Sequence, residues 1–168
     1  MSLTDYPARW RVAAVAVAVT TGLLGPAPSP AAAHPGPSIV FDPAEVGWDA
    51  VRDVGALHTR LVPGFVTDCR LDGEARIVTF ANGLVARELI VDIDDAAQRL
   101  VWSVVQGRPT HHNGALQVFA EGDGRSRVVW IADILPHDLA GPIGAMTDHG
   151  LRAMKQAQEA AARAGAAA

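Results

Sequence analysis

The sequence predicts an α+β fold: a curved antiparallel sheet of about six to seven strands wrapped around one long C-terminal helix, with short helices after the first strand. Three observations carry this. From Val66 onward apolar residues recur with a period of two, the mark of half-buried strands. The links between these segments are a few residues long, and a parallel crossover needs about a dozen. The last segment instead places its apolar residues at helical spacing along one stripe.

Each element has a local reason. Ser38 to Phe41 is a short apolar strand. Asp42-Pro43-Ala44-Glu45 then opens a helix: Asp accepts a bond from an orphan amide, Pro loses nothing at the first helical position, and Glu45 completes a capping-box-like pattern. Val46, Ala50, Val51 and Val54 continue it to Gly55, a natural stop. Ala56 to Leu61 adds another short turn of helix before Pro63 breaks it. The strands are Val66–Leu71, Ala75–Ala81, Leu84–Ile93, Arg99–Gln106, His111–Ala120 and Arg127–Ile134, rich in Val, Ile, Trp and Phe. Their joints are Asp72-Gly73, Asn82-Gly83, Asp94-Asp95, Gly107-Arg108-Pro109 and Gly122-Asp123-Gly124, with Asn-Gly the strongest hairpin signal. In the final helix Leu139, Ile143, Met146, Leu151, Met154 and Ala157 form the apolar stripe, Pro142 sits near the first turn, and the Ala-rich end frays over residues 163–168. A helix with one apolar face must lie on something, and the concave side of the sheet is the partner of the right size.

The first 33 residues differ from the rest. Arg9 and Arg11 precede an apolar run from Val12 to Leu24, and a Pro/Ala-rich stretch ends in Ala31 and Ala33, the pattern of a cleavable secretory leader. The run is shorter than the roughly 20 residues that a membrane-spanning helix requires, so a stable membrane span is not expected. Export is the expectation, with a cytoplasmic protein as the alternative if the leader is not functional. The folded unit is then residues 36–162, one domain. Fourteen Lys and Arg against 18 Asp and Glu leave a net charge of −4, which argues against nucleic acid as a partner because binding it needs a basic face. Cys69 is the single cysteine, so a disulfide scaffold is excluded and an inert core position is expected. The chain lacks a Gly-rich phosphate loop, a Gly-x-Ser-x-Gly elbow and a Cys pair, and no cofactor is implied.

This order of elements resembles the helix-grip fold of the SRPBCC superfamily, which includes START lipid-transfer domains and the birch-pollen-allergen proteins. The resemblance is carried by Trp48-Asp49-Ala50-Val51-Arg52-Asp53-Val54 in the first helix, Glu88-Leu89-Ile90-Val91-Asp92-Ile93-Asp94 at the end of a strand, Arg99-Leu100-Val101-Trp102-Ser103-Val104, Gly124-Arg125-Ser126-Arg127-Val128-Val129-Trp130, and the helix containing Met154-Lys155. It covers about Ser38 to Ala161 and is strongest to the bacterial branch described as polyketide cyclase/dehydrase and lipid transport. Gly47 inside the first helix departs from it, costing about 1 kcal/mol relative to Ala, and so does the leader, which members of this family commonly lack. The resemblance implies a cavity between sheet and helix, lined by apolar side chains with a few polar anchors, and a small hydrophobic molecule as partner.

Strand alternation then selects candidate site residues. His111 and His112 face opposite sides, so one of them points into the cavity, with Asn113 or Gln117 nearby; the alternative is a histidine that caps a turn or faces solvent. Arg87 and Glu88 alternate in the same way, and a charge turned inward needs a partner, whereas one turned outward forms a surface salt bridge. Trp102 and Trp130 supply apolar bulk with one donor each, as core, rim or ligand-stacking groups. Asp92, Asp94 and Asp95 read as a solvated hairpin tip, and the scattered histidines offer no third ligand for a metal. Two functions follow: binding or transport of a small hydrophobic ligand, lipid or polyketide-like, or a cyclase/dehydratase acting through acid-base residues in the same cavity.

Overall fold

The computed structural model describes residues 38–41, 47–121 and 125–166. The chain divides into Met1–His34 and Pro35–Ala168, and the described residues all belong to the second unit. The leader-like segment, the Asp42 capping pattern and the Gly122-Asp123-Gly124 joint lie outside the described residues.

A seven-stranded antiparallel sheet and one long helix make up the domain. Strand β1 spans Ser38–Phe41, β2 Val66–Asp72, β3 Ala75–Phe80, β4 Val85–Asp94, β5 Arg99–Val104, β6 His111–Glu121 and β7 Arg125–Leu135. The spatial order is β1-β7-β6-β5-β4-β3-β2, a meander with the first strand added beside the last. Because β1 and β2 occupy opposite edges, the chain between them must cross the end of the sheet. It does so through helix α1 (Trp48–Arg52) and a single π-type turn at Leu57–Leu61.

Helix α1 is shorter than the expected run from Asp42 to Gly55. Gly47 is extended and serves as its N-cap, its carbonyl accepting the Ala50 N–H at 2.8 Å, and Asp53 closes it. Val54 and Gly55 thus fall outside it, and the Val54 carbonyl is left to accept bonds from the sheet side.

Two irregularities curve the sheet. The register slips between Ile90 and Asp92 on β4 and between Val66 and Asp68 on β2. An extra residue on one strand of a pair bends it and increases its twist. The sheet therefore wraps around helix α2 (Ala140–Ala166), which a short 3-10 turn at His137–Leu139 introduces. Between them Val51, Leu57, Phe65, Val78, Leu100, Leu116, Val128, Leu151 and Met154 form the core.

The face of α2 that packs inward differs in detail from the apolar stripe. Thr147, Gly150, Leu151, Met154 and Gln158 are buried, while Ile143, Met146 and Ala157 are half-buried. Gln158 is tolerated there because its amide donates to the Arg60 carbonyl at 2.7 Å, tying the helix to the π-type turn. Gly150 sets the approach of helix to sheet: a Cβ at this position would meet Trp130 Cζ3 at 2.7 Å and Phe65 Cε1 at 3.1 Å. The helix also continues through Arg163 to Ala166.

Candidate functional site

Packing leaves a cavity of about 270 Å³ between the N-terminal half of α2 and the sheet. Its wall on the sheet side is Glu88 from β4, Trp102 from β5, His112 from β6 and Trp130 from β7, with Met146 and Thr147 facing them from α2. Phe80 and Leu84 at the β3–β4 hairpin and Gly107-Arg108-Pro109 in the β5–β6 loop surround the mouth. A second, deeper void of about 40 Å³ shares Phe65, Trp102 and Trp130 with it, and there Arg76 and Glu88 join Leu100, Leu116 and Met154.

The indoles of Trp102 and Trp130 meet edge to face, 5.6 Å between centroids at 67°, and are common to both spaces. Gly114 makes this possible. It is the residue opposite Trp102 on β6, and a Cβ there would stand 2.3 Å from Trp102 Cε2.

Glu88 is the charged group of the wall. It sits directly across from Arg76 on β3, and the two are 6% and 3% exposed. Arg76 Nε donates to Glu88 Oε2 at 2.8 Å and Nη2 lies 2.7 Å from the same oxygen. The guanidinium also lies 5.5 Å from the centroid of the Trp102 ring, a favourable placement over an aromatic face. A buried pair of this kind is stabilising only as a pair, since removing one member leaves an uncompensated charge.

His112 is the second polar member. It is 8% exposed, and its Nδ1 has no hydrogen-bond partner among the described residues. Burial holds the imidazole below its ordinary pKa, with the Glu88 charge pulling the other way, so the ring is neutral at neutral pH. Cys69 lies apart from the cavity wall; burial pushes its thiol up, and Sγ donates to the Val54 carbonyl at 3.4 Å. An unreactive core thiol fits this setting.

Residues 39–167 match the model of the family described as polyketide cyclase / dehydrase and lipid transport. The chain belongs to this family. No curated protein matches it. Among solved structures it is similar to XoxI from Bacillus cereus, 18% identical with a TM-score of 0.64 over 73% of this chain and 92% of that one. A START superfamily protein from Mycobacterium smegmatis superposes with a TM-score of 0.59 at 10% identity, over 74% of this chain and 95% of the other. The di-domain ARO/CYC protein BexL of the BE-7585A biosynthetic pathway gives 0.59 at 20% identity, over 73% of this chain and 45% of BexL. These likenesses show the fold, a helix grip in which a curved antiparallel sheet wraps one long C-terminal helix.

Of the residues selected from the sequence of this polyketide cyclase/dehydrase and lipid-transport family member, Glu88, His112, Trp102 and Trp130 line the cavity. His111, Arg87 and Asn113 do not. His111 is exposed, Asn113 shares its face of β6, away from the cavity, and Arg87 turns outward to Asp72, Nε to Oδ2 at 3.0 Å. Gln117 is likewise on the outer side and donates to the Ala97 carbonyl at 3.0 Å. The phase of β6 separates the histidines: His112 alternates with Gly114, Leu116 and Val118, all buried, whereas His111 alternates with Asn113 and Gln117.

Arg76 and Thr147, which line the two spaces, lie outside the candidates that strand alternation marks. The signal for Arg76 was the need of an inward Glu88 for a counter-charge on a neighbouring strand. The Asp94-Asp95 turn is also more than a solvated tip. Asp95 accepts from Trp48 Nε1 at 2.6 Å and from Arg52 Nε and Nη2, each at 2.9 Å, which fastens α1 to the β4–β5 turn. The Trp48 bond, assisted by Arg52, holds the Asp95 carboxyl below its usual range. Among the described residues no helix is long and apolar enough to cross a membrane. None of their His, Cys, Asp and Glu side chains gather in a group able to hold a metal.

Proposed function

We propose that this chain binds a small hydrophobic molecule in the space between the sheet and α2. The observation that carries this reading is the cavity itself: about 270 Å³ with an apolar wall, close to the lower end of the roughly 300–1,000 Å³ of ligand pockets. Glu88 and His112 are the groups that orient such a ligand, and the aromatic pair Trp102–Trp130 limits its depth. Native mass spectrometry of the purified protein, followed by solvent extraction, tests it. An adduct that is released as a small apolar compound supports the reading; a bare protein that also fails to bind any apolar probe overturns it.

A second reading is a cyclase or dehydratase, favoured by the presence of both Glu88 and His112 on one cavity wall. A neutral imidazole is able to take a proton from a carbon flanked by carbonyls while an ionised carboxylate orients the substrate. Incubation with a poly-β-ketone substrate, followed by absorbance of the aromatic product, distinguishes the two. Turnover that is lost in His112→Gln identifies an enzyme; stoichiometric binding without turnover identifies a carrier. We also read residues 1–33 as an export leader. N-terminal sequencing of the mature protein tests this, and a chain still beginning at Met1 contradicts it.

A further inference from the structure

We propose that the ligand of this cavity is an uncharged molecule carrying a hydroxyl group, an alcohol or phenol rather than a carboxylic acid, and that Glu88 Oε1 accepts its hydrogen bond. The inference rests on the reading of the cavity as a small-ligand site.

Both nitrogens that Arg76 turns to Glu88 reach Oε2, and Oε1 accepts no hydrogen bond from the described residues. Glu88 lines the larger cavity, whereas Arg76 lines only the deeper void. A ligand therefore meets the carboxylate with the guanidinium behind it. An ionised carboxylate only accepts hydrogen bonds, so the group it receives must be a donor.

Charge balance narrows the donor further. Arg76 and Glu88 cancel, which leaves the buried wall without net charge. An anionic ligand would face the like charge of Glu88 in an apolar space. An ammonium group would be uncompensated, because Arg76 already occupies the carboxylate, and an unpaired charge in such surroundings is costly. Arg108, the remaining cation of the lining, stands exposed in the β5–β6 loop, where water and salt screen it. A hydroxyl satisfies Oε1 without adding charge. The His112 ring, polar and close by on the same wall, is a second group for the same oxygen.

Titration calorimetry at neutral pH with butylbenzene, para-butylphenol and para-butylbenzoate compares one skeleton with three polar ends. Para-butylphenol is expected to bind about tenfold more tightly than butylbenzene, the value of one hydrogen bond to a charged acceptor, and butylbenzoate more weakly than both. In the double variant Arg76→Met with Glu88→Met the phenol should lose its advantage. In Glu88→Gln, a second variant that keeps an acceptor, the phenol advantage should shrink and butylbenzoate should gain, because Arg76 is left uncompensated. Butylbenzoate binding the native protein as tightly as the phenol, or a phenol advantage that persists in these variants, overturns the assignment and leaves the cavity a ligand site. Binding of none of the three removes the ligand-site reading, and the assignment with it.

Discussion

The indole of Trp102 lies across the Cα of Gly114 on the neighbouring strand, so close that a methyl group there would be 2.3 Å from Trp102 Cε2. The glycine thus holds the tryptophan down on the sheet, where it forms both the inner wall of the cavity and the platform for Arg76.

Gly114→Ala should displace the Trp102 ring. The neighbour is the body of a rigid aromatic group rather than a flexible tip, so the expected cost is about 1–3 kcal/mol, the range for overpacking a filled site. Urea unfolding measures the loss, and near-UV circular dichroism should show an altered tryptophan signal. An unchanged midpoint and spectrum would mean that the ring has another place to go.

Arg76→Met and Glu88→Met, made singly, should each destabilise the protein by about 3–5 kcal/mol, because each strands a charge in the core. The double variant should recover most of that loss. A double-mutant cycle on unfolding free energies reads this directly, and strictly additive losses would contradict a coupled pair.

His112 should make stability depend on pH. Its folded pKa is lowered by burial, so between the unfolded value of about 6.5 and the lower folded value the unfolded chain binds a proton that the folded one refuses. The stability is fully present above about pH 6.5 and declines as pH falls toward the folded pKa. Thermal unfolding of wild type and His112→Gln across this window should show a steeper acid decline in the wild type. Parallel curves would show that the histidine titrates alike in both states.

Met146→Trp should fill the cavity from the helix side. Met146 is half-buried and lines it, and added side-chain volume has open space to enter rather than packed neighbours to displace. Binding of an apolar probe should fall at least about tenfold while the unfolding midpoint is maintained, which calorimetry and thermal melts together decide. Unimpaired binding in a folded variant would place the ligand elsewhere.

How far these features were legible differs from residue to residue. Apolar alternation marks β2 to β7 within two residues at each end, because a strand with one buried face must repeat every second position. The inward histidine was also present in the sequence, since His112 shares its phase with Leu116 and Val118. Glu88 was less legible. Arg87 and Glu88 are each flanked two residues away by apolar side chains, so β4 offers no phase that tells them apart.

The partner of Glu88 was hidden by a single residue of register. A two-residue turn at Asn82-Gly83 would set Glu88 opposite Ile77. The hairpin instead closes through Ala81, Asn82 and Gly83, with the Phe80 N–H bonded to the Leu84 carbonyl at 2.8 Å and Gly83 at a φ of +83°. Three-residue loops with a left-handed glycine are a regular alternative to the two-residue turn, and this one places Arg76 across from Glu88.

By itself the sequence determined the succession of strands along the chain and the long C-terminal helix, because these follow from periodicity and turn chemistry within a few residues, while the family resemblance rested on its motifs. Tertiary structure alone decided the Arg76–Glu88 pair, the seating of Trp102 on Gly114, the Asp95 anchor for α1 and the presence of a cavity. Those depend on register and on the fit of side chains distant in the chain, and a shift of one residue or one methyl group changes them while leaving the pattern of apolar and polar residues the same.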